Sequence, residues 1–150
     1  MKLNVGDPAP LFEGKDQNGN LIRLADFKGK KKVVLYFYPK DDTPGCTAQA
    51  CDLRDNRERL QKAGYEVIGV SVDDEKSHQK FIKKYDLNFT LIADTDKKMV
   101  DAYDVWKEKS MYGKNFMGIV RTTFLIDENG IITDIIEKVD TKAHSEQILK

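Results

Sequence analysis

Four runs of apolar residues along the chain predict the strands of a buried sheet. The first is a continuous series of β-branched and aromatic side chains at residues 33–38, and a second series covers residues 65–72. Shorter runs occupy residues 89–93 and 119–126. Because the longest runs do not alternate apolar with polar positions, we expect other elements to cover both faces of these strands.

Helical patterns fill the segments between the apolar runs. They predict a long helix at residues 44–63, closed by Gly64, and shorter helices at 75–85, 96–103 and 142–149. Because strands and helices alternate along the chain, neighbouring strands should pair in parallel.

Two turn signals add antiparallel hairpins to this scheme. The sequence Asp127-Glu128-Asn129-Gly130 would join strand 119–126 to a strand at 131–137, and Gln17-Asn18-Gly19-Asn20 would form a small N-terminal hairpin. The chain is therefore predicted to have an α/β fold, in which helices flank a central mixed β-sheet.

Composition limits the partners and the location that this fold can have. A chain of 150 residues with 40% hydrophobic and 33% charged residues should form one globular domain, residues 1–150. Its 25 basic residues balance 25 acidic ones, so neither nucleic acid nor a membrane is expected as a partner. Residues 1–7 lack the apolar stretch of a secretory signal, and we therefore expect a cytoplasmic protein.

The chemistry is predicted by a cysteine at the start of the first long helix. If Thr43 is the N-cap, its hydroxyl should accept the backbone N–H of Cys46, while Pro44 occupies the first helical position. Gly45 would let another group, such as a small substrate, approach the backbone closely. The helix N-terminus favours the anionic form of a cysteine, so Cys46 is a candidate nucleophile.

The second cysteine of the chain, Cys51, lies five positions further along the same helix. A helical wheel places Cys46 on the inward stripe, together with Ala50, Leu53 and Leu60. Cys51 is rotated from Cys46 by about 140° and should face outward with Asp55, Glu58 and Lys62. Their Cα atoms would be roughly 8 to 9 Å apart, beyond the reach of a disulfide, so a Cys46–Cys51 disulfide requires the helix to break.

A sheltered thiolate with a second thiol nearby suits reaction with a peroxide. Attack on the O–O bond converts the thiolate to a sulfenic acid, which condenses with another thiol to give a disulfide and water. The sequence thus supplies an attacking and a resolving cysteine.

Several segments resemble the peroxiredoxins. The sequence Pro39-Lys40-Asp41-Asp42-Thr43-Pro44-Gly45-Cys46 is similar to the proline, threonine and cysteine signature of that family, and Cys51 resembles the resolving cysteine of its bacterioferritin-comigratory, or Q-type, subfamily. Further similarity extends over essentially the whole chain, at Val5-Gly6-Asp7-Pro8-Ala9-Pro10, Met111-Tyr112-Gly113-Lys114 and the arginine-bearing strand Arg121-Thr122-Thr123-Phe124-Leu125-Ile126-Asp127.

The resemblance implies a thioredoxin-like fold and a role for each matching residue. Cys46 would be the peroxidatic cysteine and Cys51 the resolving one. Thr43 would hydrogen-bond the peroxide, and Pro44 would shield the thiolate from water. Arg121 would hold the thiolate and polarise the peroxide oxygens, a role that suits a guanidinium because it keeps its charge in proteins.

The resemblance also implies thioredoxin as the reductant, with glutaredoxin or a low-molecular-weight thiol as alternatives. No cofactor or metal is implied. Since the resolving thiol lies in the same helix as Cys46, a monomer is expected. Hydrogen peroxide and organic hydroperoxides are the implied substrates.

Other functions remain open on the residues alone. A general thiol-disulfide oxidoreductase would place its cysteines as Cys-x-x-Cys, unlike the Cys-x-x-x-x-Cys spacing found here. A zinc site would need four ligands, and His78 and His144 have no ligand spacing with the cysteines. A non-catalytic interaction domain is the third alternative. Both histidines are predicted to be solvated helical residues, and Tyr36, Phe37, Tyr38 and Trp106 to be core or pocket wall.

Overall fold

The structure, a computed structural model, describes residues 3–150. Its strands are β1 (Glu13–Lys15), β2 (Leu21–Arg23), β3 (Lys32–Phe37), β4 (Tyr65–Ser71), β5 (Thr90–Ala93), β6 (Trp106–Met111), β7 (Lys114–Ile119), β8 (Thr122–Ile126) and β9 (Ile132–Ile136). Its helices are α1 (Pro44–Asp55), α2 (Arg57–Lys62), α3 (Glu75–Tyr85), α4 (Lys98–Ala102) and α5 (His144–Leu149), with a 3-10 turn at Leu24–Phe27.

Five strands form the central sheet in the order β5-β4-β3-β8-β9. Strands β3, β4 and β5 run parallel, whereas β8 is antiparallel to β3 and β9 is antiparallel to β8. The predicted mixed sheet, with its antiparallel part toward the C-terminus, is confirmed. The predicted N-terminal hairpin is also present, as the pair β1-β2.

Strand β3 is buried on both faces, which explains its unbroken apolar sequence. Val33, Leu35 and Phe37 enter one core cluster, while Val34 and Tyr36 enter the other. Side chains along a strand point alternately to its two faces, so a strand covered on both sides needs apolar residues throughout. The expectation that the aromatic residues of this run belong to the core is confirmed.

The cluster on the second face forms beneath α1 and α2. The inward stripe that the helical wheel predicted, Cys46, Ala50, Leu53 and Leu60, is buried in this cluster. Phe81 of α3 and Ile148 of α5 complete it. Helix α1 is therefore held from below by apolar packing on the strand that precedes it.

Several predicted boundaries were wrong. The helix expected at 44–63 is divided at Asn56 into α1 and α2. The Asn56 amide donates to the Asp52 carbonyl at 2.8 Å, the competition with backbone bonding that makes asparagine a weak residue inside helices. The helices expected at 96–103 and 142–149 are shorter, as α4 and α5 show.

The strand expected at 119–126 was also wrong, because Ile119 ends β7 and a new strand starts at Thr122. The hairpin β6-β7 was not predicted. Charged residues at Lys107, Glu108 and Lys109 hide its strand pattern, and its turn places the non-glycine residue Tyr112 at φ 54°. Trp106, at the start of β6, is partly buried against the first core cluster, in keeping with the prediction of a core position.

The prediction that His78 and His144 are solvated is wrong, since both are fully buried. Each ring has polar partners inside the protein: Asp41 and the Ile92 carbonyl for His78, and Thr123 and Gln147 for His144. Apart from Gln147, which lies three residues from His144, these partners come from other parts of the sequence, so local pattern could not reveal them. Burial, the largest influence, lowers the pKa of His144.

Within residues 3–150, the structure has no helix long and apolar enough to cross a membrane.

Candidate functional site

Cys46 is the third residue of α1, and only 2% of its surface is exposed. Pro44 begins the helix and is exposed, while Thr43 is the N-cap residue with extended backbone angles. The helix start is therefore the one that the sequence predicted. The Cys46 sulfur lies in the positive field of this helix terminus, which favours a thiolate.

The capping bond predicted for Thr43 was wrong. Its hydroxyl does not accept the Cys46 N–H; it donates to the Lys40 carbonyl at 2.9 Å. The tight turn between β3 and α1 brings that carbonyl within reach. Because the hydroxyl hydrogen is used inside the turn, the lone pairs of the Thr43 oxygen remain to accept a hydrogen bond.

Arg121 contacts the sulfur of Cys46. Its Nη2 donates to Cys46 Sγ at 3.2 Å. The sequence analysis placed Arg121 in a strand, whereas it lies in the short connection between β7 and β8. Sheet register explains the meeting: Thr122, the next residue, pairs with Phe37 at the end of β3, from which the chain turns into α1.

The charge of Arg121 stabilises an anionic sulfur. At 3.2 Å, the Coulomb attraction between a guanidinium and a thiolate is on the order of 5 kcal/mol for an effective dielectric constant of 20, before the cost of desolvating both groups. Arg121 is half-buried, so part of this attraction is screened by water.

Gln49 holds the other arm of the guanidinium and was missed by the sequence analysis. Its Oε1 accepts from Arg121 Nη1 at 2.6 Å, and its side chain is fully buried. Its Nε2 has no hydrogen-bond partner within the described chain. The available signal was its position three residues after Cys46, because a polar residue on that inward stripe should face the same group as the cysteine.

Gly45 gives the guanidinium room. A Cβ atom at this position would lie 3.1 Å from Arg121 Nη2, closer than side chains normally pack. The group that approaches the Gly45 backbone in the structure is thus Arg121. A side chain here would therefore require Arg121 Nη2 to shift by a few tenths of an ångström.

Two further polar groups border the site. Lys109 donates to the Ile119 carbonyl at 2.9 Å, and burial, followed by repulsion from Arg121, lowers its pKa. Burial is also the main reason why the pKa of Tyr36 is raised well above its ordinary value, with the negative charges of Cys46 and Asp41 adding to it. Tyr36 therefore contributes a neutral phenol to the wall behind the thiol.

Cys51 is a free thiol, like Cys46, and is half-buried on the far side of α1. The residues just after it are tied to two other helices. Asp52 Oδ2 accepts from the backbone N–H and the hydroxyl of Ser145 in α5, both at 2.7 Å. Arg54 Nη1 donates to the Tyr85 carbonyl at the end of α3 at 2.5 Å.

Metal-based chemistry has no obvious donor set here. In the part of the chain that the structure describes, no three His, Cys, Asp or Glu side chains are grouped so that they could hold a metal ion.

A cavity of about 900 Å³ lies between the β1-β2 hairpin and the starts of α3 and α4, but it contains none of Thr43, Cys46 or Arg121.

Comparison with known proteins gives consistent matches over almost the whole chain. The model of the AhpC/TSA family matches residues 5–135. The putative peroxiredoxin Bcp of Coxiella burnetii is 48% identical over 149 residues, which are 99% of this chain and 98% of that protein.

Two solved structures are similar to this one. A cysteine-to-serine mutant of Xylella fastidiosa PrxQ is 32% identical with a TM-score of 0.91, over 99% of this chain and 94% of that one. The bacterioferritin comigratory protein of Xanthomonas campestris, studied for its alkyl peroxide reduction activity, is 37% identical with a TM-score of 0.85, over 92% of this chain and 87% of that one.

The close approach at Gly45 predicts a specific loss of thiol reactivity. In a Cys51→Ser background, Gly45→Ala should slow alkylation of Cys46 by iodoacetamide several-fold at about pH 7, because the displaced guanidinium no longer stabilises the thiolate. The unfolding free energy should not fall, since alanine is a better helix residue than glycine. Equal rates at neutral pH would contradict this role of Gly45.

Proposed function

This chain belongs to the AhpC/TSA family and is a peroxiredoxin, a thiol-dependent peroxidase, and we propose that Cys46 is its peroxidatic thiol and Cys51 its resolving thiol. Its fold is the thioredoxin-like fold of its structural neighbours, as the sequence resemblance implied. The observation that carries the assignment of Cys46 is the contact of its sulfur with Arg121 at 3.2 Å.

In the proposed first step, the Cys46 thiolate attacks the nearer peroxide oxygen and the O–O bond breaks. Cys46 becomes a sulfenic acid, and the leaving oxygen takes up a proton to give water or an alcohol. Arg121 stabilises both the thiolate and the charge that develops on the leaving oxygen. The Thr43 oxygen, whose own hydrogen goes to Lys40, accepts the hydrogen of the peroxide O–H. Pro44 and Gly45 form the rim that shelters the reacting atoms.

The proposed substrates are hydrogen peroxide and organic hydroperoxides. The alkyl peroxide reduction studied in the Xanthomonas campestris relative supports the second class.

In the proposed second step, the Cys51 thiolate attacks the sulfur of the Cys46 sulfenic acid, an S–S bond forms and water leaves. Both cysteines lie within the unbroken helix α1, where five residues separate their Cα atoms by about 8 to 9 Å. A disulfide requires less than about 7 Å. The helix must therefore unwind between the two thiols before the bond forms.

The bonds of Asp52 and Arg54 suggest where this unwinding ends. Asp52 is attached to α5 and Arg54 to the end of α3. Between Cys46 and Asp52, only Gln49 has a side-chain hydrogen bond among the described residues, to Arg121. A carboxylate that accepts two bonds is a strong anchor. We expect unwinding to stop at Asp52, so that residues 53–55 stay helical.

Recycling requires an external thiol, for which we propose thioredoxin. Unwinding would bring the half-buried Cys51 sulfur to the surface, where a reductant can attack it. This cycle needs a reducing compartment, which fits the expected cytoplasmic location. Because both thiols belong to one helix, we propose that residues 1–150 act as a single domain and a monomer.

Cysteine variants test the two assignments in one steady-state peroxidase assay with thioredoxin as the donor. Cys46→Ser should have no activity, since no sulfenic acid can form. Cys51→Ser should consume one equivalent of peroxide and then stop. Turnover by Cys46→Ser would contradict the proposed function. Continued turnover by Cys51→Ser with thioredoxin would remove Cys51 from the cycle, and a protein active only with glutaredoxin or a small thiol would overturn the choice of donor.

Amide hydrogen exchange tests the proposed unwinding. In the disulfide form, residues 48–55 should lose most of the protection that they have in the reduced form, because their amides donate to the carbonyls of residues 44–51. Asn56, whose amide donates to the Asp52 carbonyl, and helix α5 should keep theirs. Helix α3 serves as the internal reference in both samples. Equal protection of residues 48–51 in the two forms would show that no unwinding occurs, and loss of protection at Asn56 would contradict a boundary at Asp52.

A further inference from the structure

We propose that a buried ion pair between Asp41 and His78 positions the turn that presents Thr43 to the peroxide. The proposal rests on the function assigned to Cys46 and adds a positioning pair that does not touch the reacting atoms. The turn comprises residues 39–43, between β3 and α1. Its shape sets the place of the Thr43 oxygen relative to the sulfur.

Asp41 fixes the middle of this turn to three separate elements. Its Oδ1 accepts from the Tyr38 hydroxyl at 2.6 Å. Its Oδ2 accepts from the Ser77 hydroxyl at 2.8 Å and lies 2.7 Å from His78 Nδ1, both in α3. Its backbone N–H donates to Asp73 Oδ2 at 2.8 Å, in the segment after β4. Hydrogen bonds thus hold both the main chain and the side chain of Asp41.

The next residue, Asp42, shows why such anchoring is needed. Its backbone is in the left-handed region at φ 56°, which costs a non-glycine residue free energy and persists only where the surroundings impose it. Its carboxylate is held by Lys84 at 2.8 Å and Tyr85 at 2.7 Å. These partners also belong to α3, but both bonds are exposed, whereas the contacts of Asp41 with Tyr38 and His78 are buried.

The surroundings of His78 require its ring to be positively charged. Nε2 lies 2.9 Å from the Ile92 carbonyl, which can only accept, so this nitrogen carries a hydrogen. Nδ1 faces Asp41, whose two oxygens already accept from Tyr38 and Ser77, as a carboxylate does. Both ring nitrogens are therefore donors, and the fully buried ring is an imidazolium paired with a carboxylate.

The electrostatics agree with this assignment. Burial, the largest single influence, opposes the charge on the ring, but the hydrogen bond and charge of Asp41, the Ile92 carbonyl and the charge of Asp73 together raise the pKa of His78. Tyr38, whose hydroxyl donates to Asp41, stays neutral because burial, and then Asp41, raise its pKa well above the ordinary value.

The raised pKa gives the pair a defined pH dependence. A group whose pKa is higher in the folded protein stabilises the fold fully below its unfolded value, about 6.5 for histidine, and this contribution is lost as the pH rises through the folded value. The turn should accordingly be held fully below about pH 6.5 and loosen as the pH rises through the raised pKa of His78. Thr43 would then lose its alignment while Cys46 and Arg121 keep their contact.

Two reactions of Cys46, measured in a Cys51→Ser background, separate positioning from general damage. Oxidation by hydrogen peroxide uses Thr43, whereas alkylation by iodoacetamide does not. His78→Gln should slow oxidation about tenfold at pH 7, which is the scale of the effect when a group that hydrogen-bonds the substrate is misplaced. It should slow alkylation less than about twofold. The difference in oxidation rate from the unsubstituted His78 protein should shrink as the pH rises through the pKa of His78.

His144→Gln is the matched control, because it removes an equally buried histidine that does not touch the turn. It should leave the ratio of the two rates unchanged. Equal slowing of both reactions by His78→Gln, the same ratio change in His144→Gln, or an unchanged oxidation rate would overturn the proposal. If Cys46 with His78 intact does not react with peroxide at all, it is the proposed function that fails.

Nitrogen-15 NMR of the unsubstituted protein tests the pair without any variant. At about pH 6, below the ordinary histidine pKa of about 6.5, both ring nitrogens of His78 should have the chemical shifts of an imidazolium, and those of His144 should shift toward a neutral ring, consistent with the raised pKa of His78 and the lowered pKa of His144. A neutral His78 ring at that pH would overturn the proposal.

Discussion

The contact between Arg121 and the sulfur of Cys46 joins two segments that lie 75 positions apart in the sequence. It exists because β8 runs antiparallel to β3, so the start of β8 lies beside the end of β3, where the chain turns into α1. Apolar packing beneath α1 fixes the position of Cys46, and the hydrogen bond to Gln49 fixes the guanidinium of Arg121. The fold thus serves to hold one positive charge beside one sulfur.

The helix that favours the thiolate also keeps the two cysteines apart. Its N-terminus and its inward stripe require α1 to be wound at Cys46, whereas a disulfide with Cys51 requires it to unwind. The hydrogen bonds to other elements are distributed accordingly. The buried contact of Asp41 with His78 holds the turn before α1, and Asp52 accepts two bonds from Ser145. The segment between them has few such bonds. Stability in this region is uneven, which is what a local transition within a stable domain requires.

The sequence predicted those features that depend on local pattern. Continuous apolar runs gave the central strands, and the order Thr-Pro-Gly-Cys gave the helix start at Cys46. It could not predict the hairpin β6-β7, whose charged residues resemble a loop, or the break at Asn56. Nor could it predict that His78 is buried, because its partner Asp41 lies 37 positions away and the pairing is set by tertiary structure. Gln49 could have been predicted, since it lies about one helical turn after Cys46.

The central claim is that the guanidinium of Arg121 activates the Cys46 sulfur. The most direct measurement is the rate at which hydrogen peroxide oxidises Cys46 in Arg121→Met, with Arg121→Lys to separate charge from geometry. The account predicts a decrease of roughly 100-fold or more for Arg121→Met, the scale for loss of a charge-stabilising donor, with amide protection of α1 retained. An unchanged oxidation rate in a folded Arg121→Met protein would contradict it.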